Sequence, residues 1–255
     1  MLALDCHAHI SPTVRPVDLE RLDACVVAVT RSLGEFEMVS KRKDSRIAWA
    51  LGAHPAVIEA HRNFSVERLR PLLAKASVVG EVGLDGRCKV PINTQQETLE
   101  AILACLSESP RLASVHSVSA TGPVLELLAD NPVPGIILHW WKGTKVETLR
   151  AIELGCYFSV NAAEASRPRV LDLVPMERVL TETDHPFGDR EEGSERRPGR
   201  VSLIEKALAR EWNIVPTEVR RRVWRNFFQL ASEVGGEALL PSGFQRSMLA
   251  AGSGR

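Results

Sequence analysis

Short runs of apolar and β-branched residues recur along the chain and alternate with segments of helical periodicity. The runs lie at residues 2–10, 25–30, 47–55, 77–85, 112–118, 135–141, 155–161 and 178–184. Their starts are roughly 20 to 35 residues apart, which is the length of one strand–helix unit. Because the runs are apolar almost throughout, and not only at alternate positions, they predict a parallel sheet that is covered on both faces.

Several of the intervening segments carry apolar residues three and four positions apart, as amphipathic helices do. These segments are 95–106, 121–130 and 144–154, and two more, 201–212 and 217–230, follow the last run. Eight strands that alternate with helices predict a (β/α)8 barrel, or TIM barrel, forming a single domain over residues 1–232. We expect residues 233–255 to be a loosely ordered tail. An open doubly wound sheet is the alternative, but the chain contains no G-x-G-x-x-G motif and no P-loop.

The amino-acid composition of the chain limits the classes of function that it could have. Among 255 residues, Lys+Arg and Asp+Glu both number 32, so the formal net charge is zero. A neutral chain is not suited to coating a long nucleic acid, although bound metals could still grip a few phosphates. Five scattered cysteines without a C-x-x-C pair indicate reduced thiols, and no signal peptide or membrane span is evident. We therefore expect a cytoplasmic protein that does not associate with membranes.

Polar side chains interrupt the predicted strands near their C-terminal ends. His7 and His9 share one side of the first strand, because side chains alternate along a strand. The other residues of this kind are His54, Glu81, His116, His139 and Asp184. In a barrel of parallel strands all these ends open on one mouth, where active sites of this fold lie. Buried histidines and carboxylates are costly unless they are paired or bind a metal, so the set predicts a metal centre.

The residue types favour a centre with two divalent cations. The two histidines of the first strand and Asp184 can hold one cation. His116 and His139 can hold the other, and the two oxygens of Glu81 can bridge both. Such a pair stabilises the attacking and leaving oxygens of an in-line displacement, and Asp184 could accept the proton of the attacking water. We therefore predict a hydrolase that uses Zn, Mn or Mg, with the identity of the metal left open.

The motifs that contain these residues together resemble the TatD family of metal-dependent deoxyribonucleases, a branch of the amidohydrolase-like barrels. The similar segments are D-C-H-A-H at 5–9, G-A-H-P at 52–55, E-V-G-L-D at 81–85, a histidine at 116, H-W-W-K-G at 139–143, E-T-D-H-P-F at 182–187 and an asparagine at 226. The resemblance covers residues 1 to about 230. It implies a divalent-metal-dependent DNase that trims single-stranded or frayed DNA from the 3′ end.

The resemblance also implies roles for individual residues. It adds Glu81 to the ligands of the first cation and keeps it as the bridge to the second. It places His54 near the substrate phosphate, so that Asp184, Glu81 and His54 are the expected catalytic residues. The chain departs from the family at Val118, where an arginine is usual on the fifth strand. The L-H-W segment and residues 154–160 look more like the TatD-like nucleases of Qat-type anti-phage systems.

Three residues near the mouth are candidates for substrate contacts. Trp141 could stack on a base or pack over the end of the barrel, and Lys142 could contact a phosphate or only solvent. His185 directly follows Asp184 and replaces a residue that is small in the family. The carboxylates expected to orient the metal ligands are Asp5, Asp85 and Glu182.

Two other functions remain open from the sequence. The same barrel could hydrolyse small esters, amides or phosphoesters, although Glu81 stands where many such enzymes bridge their metals with a modified lysine. Alternatively, the chain could be a subunit of an anti-phage defence complex that senses DNA ends or binds partner proteins. If the chain is a DNase, its expected partner is DNA, as ends or single strands. The sequence indicates no oligomeric state.

Overall fold

The sheet of this protein contains eight parallel strands that follow one another in the order of the sequence. The structure, a computed structural model, describes residues 1–165, 172–190 and 196–252. The strands are β1 Ala3–His9, β2 Ala24–Val29, β3 Ile47–Leu51, β4 Val78–Gly83, β5 Leu112–His116, β6 Ile136–His139, β7 Tyr157–Val160 and β8 Val179–Thr181. All eight predicted strands are found, and their order confirms the barrel. A doubly wound sheet would reverse its strand order.

Helices follow the strands and cover the outside of the barrel. They are α1 Pro16–Glu20, α2 Leu33–Val39, α3 Ile58–Arg62, α4 Val66–Leu73, α5 Ile92–Glu108, α6 Thr121–Asp130, α7 Lys145–Glu153, α8 Ala162–Ala165, α9 Ser202–Glu211, α10 Pro216–Glu233 and α11 Ser242–Gly252. The five predicted helices correspond to α5, α6, α7, α9 and α10. Within the described ranges, no helix combines the length and the apolar character needed to cross a membrane.

The sequence explains where α7 begins and ends. The Thr144 hydroxyl accepts a hydrogen bond from the Glu147 N–H, and the Glu147 carboxylate accepts one from the Thr144 N–H, which together form a capping box. Gly155 follows the helix with a φ of +82°, a left-handed conformation that glycine adopts at little cost. The chain then turns back into β7. Local signals of this kind allow the strand–helix alternation to be read from the sequence.

The strands are buried along almost their whole length. Every residue of β2 to β8 is buried, and in β1 only the last residue is partly exposed. The apolar core therefore occupies both the inside of the barrel and the layer between the barrel and its helices. Any polar side chain on these strands is removed from water, so it requires a partner.

The first and last strands meet through hydrogen bonds at the mouth of the barrel. The Asp184 N–H donates to the His7 carbonyl oxygen, and the His9 N–H donates to the His185 carbonyl oxygen, both at 2.9 Å. Lower in the barrel, the Thr181 hydroxyl donates to the Leu4 carbonyl oxygen at 2.5 Å. The barrel thus closes where four of the predicted site residues lie.

The buried carboxylate of Asp5 strengthens this closure. It accepts hydrogen bonds from the N–H and the hydroxyl of Thr183 at 2.8 and 2.6 Å, and from the Gly199 N–H at 2.7 Å. It also accepts one from the His7 N–H at 3.3 Å. Asp5 therefore joins β1 to the segments after β8, and it supports the strand that carries His7 and His9.

The segment after α10 is not a loose tail, so that expectation was wrong for residues 233–252. A 3-10 turn at Glu237–Leu239 leads into α11. Phe244 on α11 is fully buried, and its ring centroid lies 5.9 and 5.8 Å from those of Trp224 and Phe227 on α10. The Gly and Ser residues of the segment suggested disorder, but Phe244 supplies the apolar anchor. Residues 253–255 lie outside the described part of the chain.

Candidate metal centre

The mouth of the barrel gathers the side chains singled out in the sequence. The strands contribute His7 and His9 (β1), Glu81 (β4), His116 (β5) and His139 (β6). Two further residues, His54 and Asp184, lie in loops three residues after the ends of β3 and β8. The strands predicted at 47–55 and 178–184 were thus too long at these ends. All seven side chains nevertheless face one region.

One group of ligand atoms surrounds Oε2 of Glu81. This oxygen lies 3.6 Å from Nε2 of His7 and 3.4 Å from Nε2 of His9. Oδ1 of Asp184 lies 3.8 and 3.5 Å from the same two nitrogens. A tetrahedral ion bound at about 2.0–2.1 Å separates its ligand atoms by roughly 3.3–3.4 Å. The observed separations are close to this value, and the ligand atoms of His7, His9 and Glu81 lie close enough together to hold a metal ion.

A second group surrounds Oε1 of Glu81. This oxygen lies 2.6 Å from Nδ1 of His116 and 3.0 Å from Nε2 of His139, and the two nitrogens are 3.1 Å apart. These atoms are close enough to share a hydrogen or a cation. The carboxylate of Glu81 therefore lies between the two groups, which is the arrangement that a bridging ligand needs.

Unpaired polar atoms at the mouth test whether a cation fits. The buried atoms of the site that no described residue hydrogen-bonds are His7 Nε2, Glu81 Oε2, His116 Nε2, His139 Nδ1 and Asp184 Oδ1. Each buried polar group left unpaired costs about 1–3 kcal/mol. Three of these atoms, on His7, Glu81 and Asp184, belong to the first group, and one divalent cation would satisfy all three. The residues present therefore fit a cation.

Polar groups lie near the outward nitrogens of three of the imidazole rings. The contacts are His7 Nδ1 to Ser114 Oγ at 2.8 Å, His116 Nε2 to Asp85 Oδ2 at 3.4 Å, and His139 Nδ1 to Glu182 Oε1 at 3.7 Å. With a cation bound, a proton on the outward nitrogen of each ring would leave a lone pair on the nitrogen that faces Glu81. Glu182 is itself held by hydrogen bonds from Ser159 and from Asn161. The carboxylates expected to orient ligands thus lie behind them.

His54 differs from the other histidines in its hydrogen bonding. Its position would allow it to join Glu81 and His116 in a third group of possible ligands. However, its Nδ1 accepts a hydrogen bond from the Ala56 N–H at 3.0 Å, so the neutral ring carries its proton on Nε2. That Nε2 lies 3.2 Å from Oε2 of Glu81. A protonated nitrogen donates hydrogen bonds and has no lone pair for a cation.

The electrostatics of the cluster follow from burial and from the charge of Glu81. Burial lowers the pKa of His54 to about 4, and it also lowers the pKa of His7, so both rings are neutral at pH 7. Burial opposes the charge of Glu81, but the neighbouring imidazoles outweigh it and hold its pKa well below the usual range. For His116 and His139, burial is outweighed by the Glu81 carboxylate, which raises their pKa values. Glu81 is therefore an anion to which cations are drawn.

Two glycines let the strands approach closely at the site. A Cβ at Gly83, where φ is +135°, would lie 2.1 Å from the carbonyl oxygen of His116. A Cβ at Gly52 would lie 1.7 Å from the carbonyl oxygen of Thr30. Any larger residue would push the backbone of these neighbouring segments away. The glycines of the E-V-G-L-D and G-A-H-P motifs therefore keep Glu81 and His54 within reach of the other ligands.

Two of the candidate substrate contacts differ in exposure. Trp141 is only 2% exposed, its Nε1 donates to the Thr148 hydroxyl at 2.9 Å, and its ring packs edge-on against Phe158. It therefore packs over the barrel end and offers no face to a base. Lys142 is exposed, and its Nζ lies 4.1 Å from the ring centroid of Trp140.

His185 lies at the rim, as expected from its position after Asp184. Its Nδ1 is 2.6 Å from Oδ2 of the buried Asp189, which also accepts a hydrogen bond from Arg196 at 2.7 Å. Sequence reasoning missed Phe187, whose ring is 61% exposed and contacts His9. Its place at the end of the E-T-D-H-P-F segment was the available signal.

An eight-stranded parallel barrel whose C-terminal mouth gathers imidazoles around a buried carboxylate defines the class of metal-dependent hydrolases. A family model described as TatD-related DNase matches residues 4–232. The chain belongs to this family, so it is a metal-dependent hydrolase that acts on phosphodiester bonds. The family predicted from the motifs is thereby confirmed.

Two relatives carry the same family name. The putative deoxyribonuclease TATDN3 of Mus musculus is 26% identical over 256 residues, which cover 89% of this chain and 87% of that protein. The 3'-5' ssDNA/RNA exonuclease TatD of Edwardsiella piscicida is 33% identical over 153 residues, covering 54% of this chain and 58% of that protein.

A solved structure confirms the fold independently. The TatD homologue YJJV of Escherichia coli superposes with a TM-score of 0.75 at 21% identity, covering 89% of this chain and 97% of that one. At this level of identity the likeness concerns the barrel architecture alone.

Proposed function

We propose that this protein is a DNase that uses a two-metal centre to hydrolyse phosphodiester bonds and trims single-stranded or frayed DNA from its 3′ end. The observation that carries the proposal is the position of Glu81, with one carboxylate oxygen facing each of two groups of ligand atoms. Support for the polarity comes from the E. piscicida relative, whose name specifies a 3'-5' exonuclease. A neutral chain is also better suited to gripping an end than to coating a long strand.

The ligands divide between two cations. His7, His9, Asp184 and Glu81 would hold one, and Glu81, His116 and His139 would hold the other. Bound divalent cations would polarise the scissile phosphate and lower the pKa of a water molecule at neutral pH.

The protein's own groups supply the remaining steps. Asp184 would hold the first cation through Oδ1, and the other oxygen of the same carboxylate would accept the proton of the attacking water. His54, neutral and protonated on Nε2, is placed to donate a hydrogen bond to a phosphate oxygen at the mouth. Asp85 and Glu182 keep their histidines in the orientation that leaves a lone pair toward Glu81.

End-labelled DNA tests the proposal directly. Single-stranded and duplex oligonucleotides, labelled at either end, are incubated with Mg, Mn or Zn and resolved by length. We expect a 5′-labelled single strand to shorten in a ladder, and Asp184→Asn to abolish the ladder. A protein that binds metal but leaves every 5′-labelled strand intact, with all three metals, contradicts the proposal.

The same assay separates the alternatives. Hydrolysis of small esters, cyclic amides or phosphomonoesters without any DNA cleavage would favour the small-molecule reading. The link to Qat-type anti-phage systems stays a prediction from the sequence. If the chain were a partner-binding or end-sensing defence subunit, Glu81→Gln and Asp184→Asn would leave protection against phage intact.

A further inference from the structure

An exposed aromatic ring lies directly beside the metal ligands. Phe187 is 61% exposed, and its ring meets that of His9 edge-on, with the centroids 5.4 Å apart and the planes at 83°. An isolated exposed apolar side chain on a protein surface is ordinary. Phe187 differs from such a side chain because it contacts His9, one of the proposed metal ligands.

The turn that carries Phe187 is fixed by hydrogen bonds. The N–H groups of Phe187 and Gly188 both donate to the Asp184 carbonyl oxygen, at 2.6 and 2.9 Å. The carbonyl oxygens of His185 and Pro186 accept from the His9 N–H and the Arg196 guanidinium. The ring therefore has a set position relative to Asp184 and His9, as a preorganised binding element requires.

A cavity of about 210 Å³ opens between this ring and the end of β1. Its lining includes His9, Ile10, Ser11, Pro186 and Phe187. Two charged residues, Arg31 and Glu35, also line it and are paired with each other at 2.9 Å. The cavity thus combines polar side chains with an aromatic ring and carries little net charge, which suits a flat base better than a phosphate. It is smaller than the roughly 300–1,000 Å³ of pockets that enclose a whole drug-sized ligand.

We propose that Phe187 is a stacking platform for the nucleobase adjacent to the scissile phosphate, with the base lying in the cavity that Phe187 borders. Stacking does not depend on sequence, because every base has a π-face. It supplies affinity for a DNA end that a chain of zero net charge does not gain from phosphate contacts alone. The inference rests on the proposed DNase function and names how that site holds its substrate.

Kinetic measurements on DNA with and without a base at the stacked position test whether Phe187 is a stacking platform. We compare wild type, Phe187→Ala and Phe187→Tyr on single-stranded oligonucleotides whose terminal or penultimate nucleotide either carries a base or is an abasic analogue. Phe187→Ala is expected to raise KM about 5- to 150-fold for the base-bearing strand, while Phe187→Tyr keeps the wild-type value. On the strand that is abasic at the stacked position, wild type and Phe187→Ala are expected to be equal.

Phe228→Ala is the matched control. Phe228 is 38% exposed on α10, whose residues Trp224 and Asn226 contact Leu2 and Val179 at the opposite, N-terminal ends of β1 and β8. Its removal is expected to leave KM unchanged on all strands. The stacking proposal is overturned if wild type and Phe187→Ala have equal KM values on base-bearing DNA. It is also overturned if Phe187→Ala raises KM equally on base-bearing and fully abasic ends.

A binding measurement distinguishes failure of the platform from failure of the proposed function. Oligonucleotides with 2-aminopurine at one of the last two 3′ positions are titrated with protein in EDTA, so that no cleavage occurs. Quenching by wild type that Phe187→Ala abolishes supports stacking, even if no metal supports cleavage. Quenching that Phe187→Ala leaves unchanged, or none with wild type, overturns stacking, while cleavage by wild type still upholds the DNase.

Discussion

The side chains of His9 and His54 show how similar positions can carry different roles. Both are 16% exposed, and both approach Oε2 of Glu81, at 3.4 and 3.2 Å. His54, however, accepts the Ala56 N–H on Nδ1, so its Nε2 bears a proton. We therefore propose that His9 holds a cation, whereas His54 donates a hydrogen bond to a phosphate.

Alanine substitutions at these two histidines should separate the roles. We expect His54→Ala to retain metal, measured by elemental analysis after dialysis, and to cleave DNA about 100-fold more slowly, the usual cost of losing one stabilising donor. His9→Ala should lose both metal and activity. His54→Gln, which keeps an N–H donor, should recover part of the rate. Metal loss in His54→Ala would show instead that His54 is a ligand.

At the residue scale, the sequence indicated which side chains meet but not what surrounds them. Motif spacing sufficed to bring His7, Glu81 and Asp184 to one mouth, because parallel strands align their ends. The burial of Trp141 and the exposure of Phe187 depend on where the neighbouring loop residues turn. The hydrophobic periodicity of the sequence does not predict these turns. The tautomer of His54 likewise depends on a backbone N–H two residues away.

At the scale of elements, the presence of each strand was easier to predict than the residue at which the strand ends. The ligand-bearing strands also contain irregularities that the sequence did not reveal, since register shifts occur between Asp5 and Ala8 and between Val79 and Val82. Such bulges re-aim side chains at active sites. Two helices that the sequence did not predict are α1 and α4. Helix α1 is too short to show hydrophobic periodicity, and α4 contains Pro71.

The terminal helix α11 gives the clearest test at this scale. Because Phe244 is fully buried against α10, Phe244→Ala should lower the free energy of unfolding by about 3–5 kcal/mol. Leu249→Ala, on the same helix but 70% exposed, should change it by no more than about 0.5 kcal/mol. Urea denaturation in EDTA measures both. Equal, small effects would mean that the segment is a loose tail after all.

For the whole molecule, the candidate metal centre links four strands and two loops, so cation binding should stabilise the entire barrel. Free metal at about 100 times its Kd contributes roughly 2.7 kcal/mol. Removing it with EDTA should then lower the Tm by roughly 5–10 °C for a chain of this size. His7→Ala is the control, because without its full ligand set it should show little shift on chelation. A wild-type Tm unaffected by EDTA would contradict coupling between site and barrel.

The hydrogen bonds that close the barrel join His7 and His9 to residues 184 and 185, and this spacing matters while the protein is being made. The first strand leaves the ribosome long before the residues that complete its other edge. At about 5–20 residues per second, that edge waits roughly 10–35 s for its partner. An unpaired edge of this kind is open to pairing with other chains. Until the last strand arrives, we therefore expect this edge of β1 to be a point at which nascent chains of this protein can pair with one another.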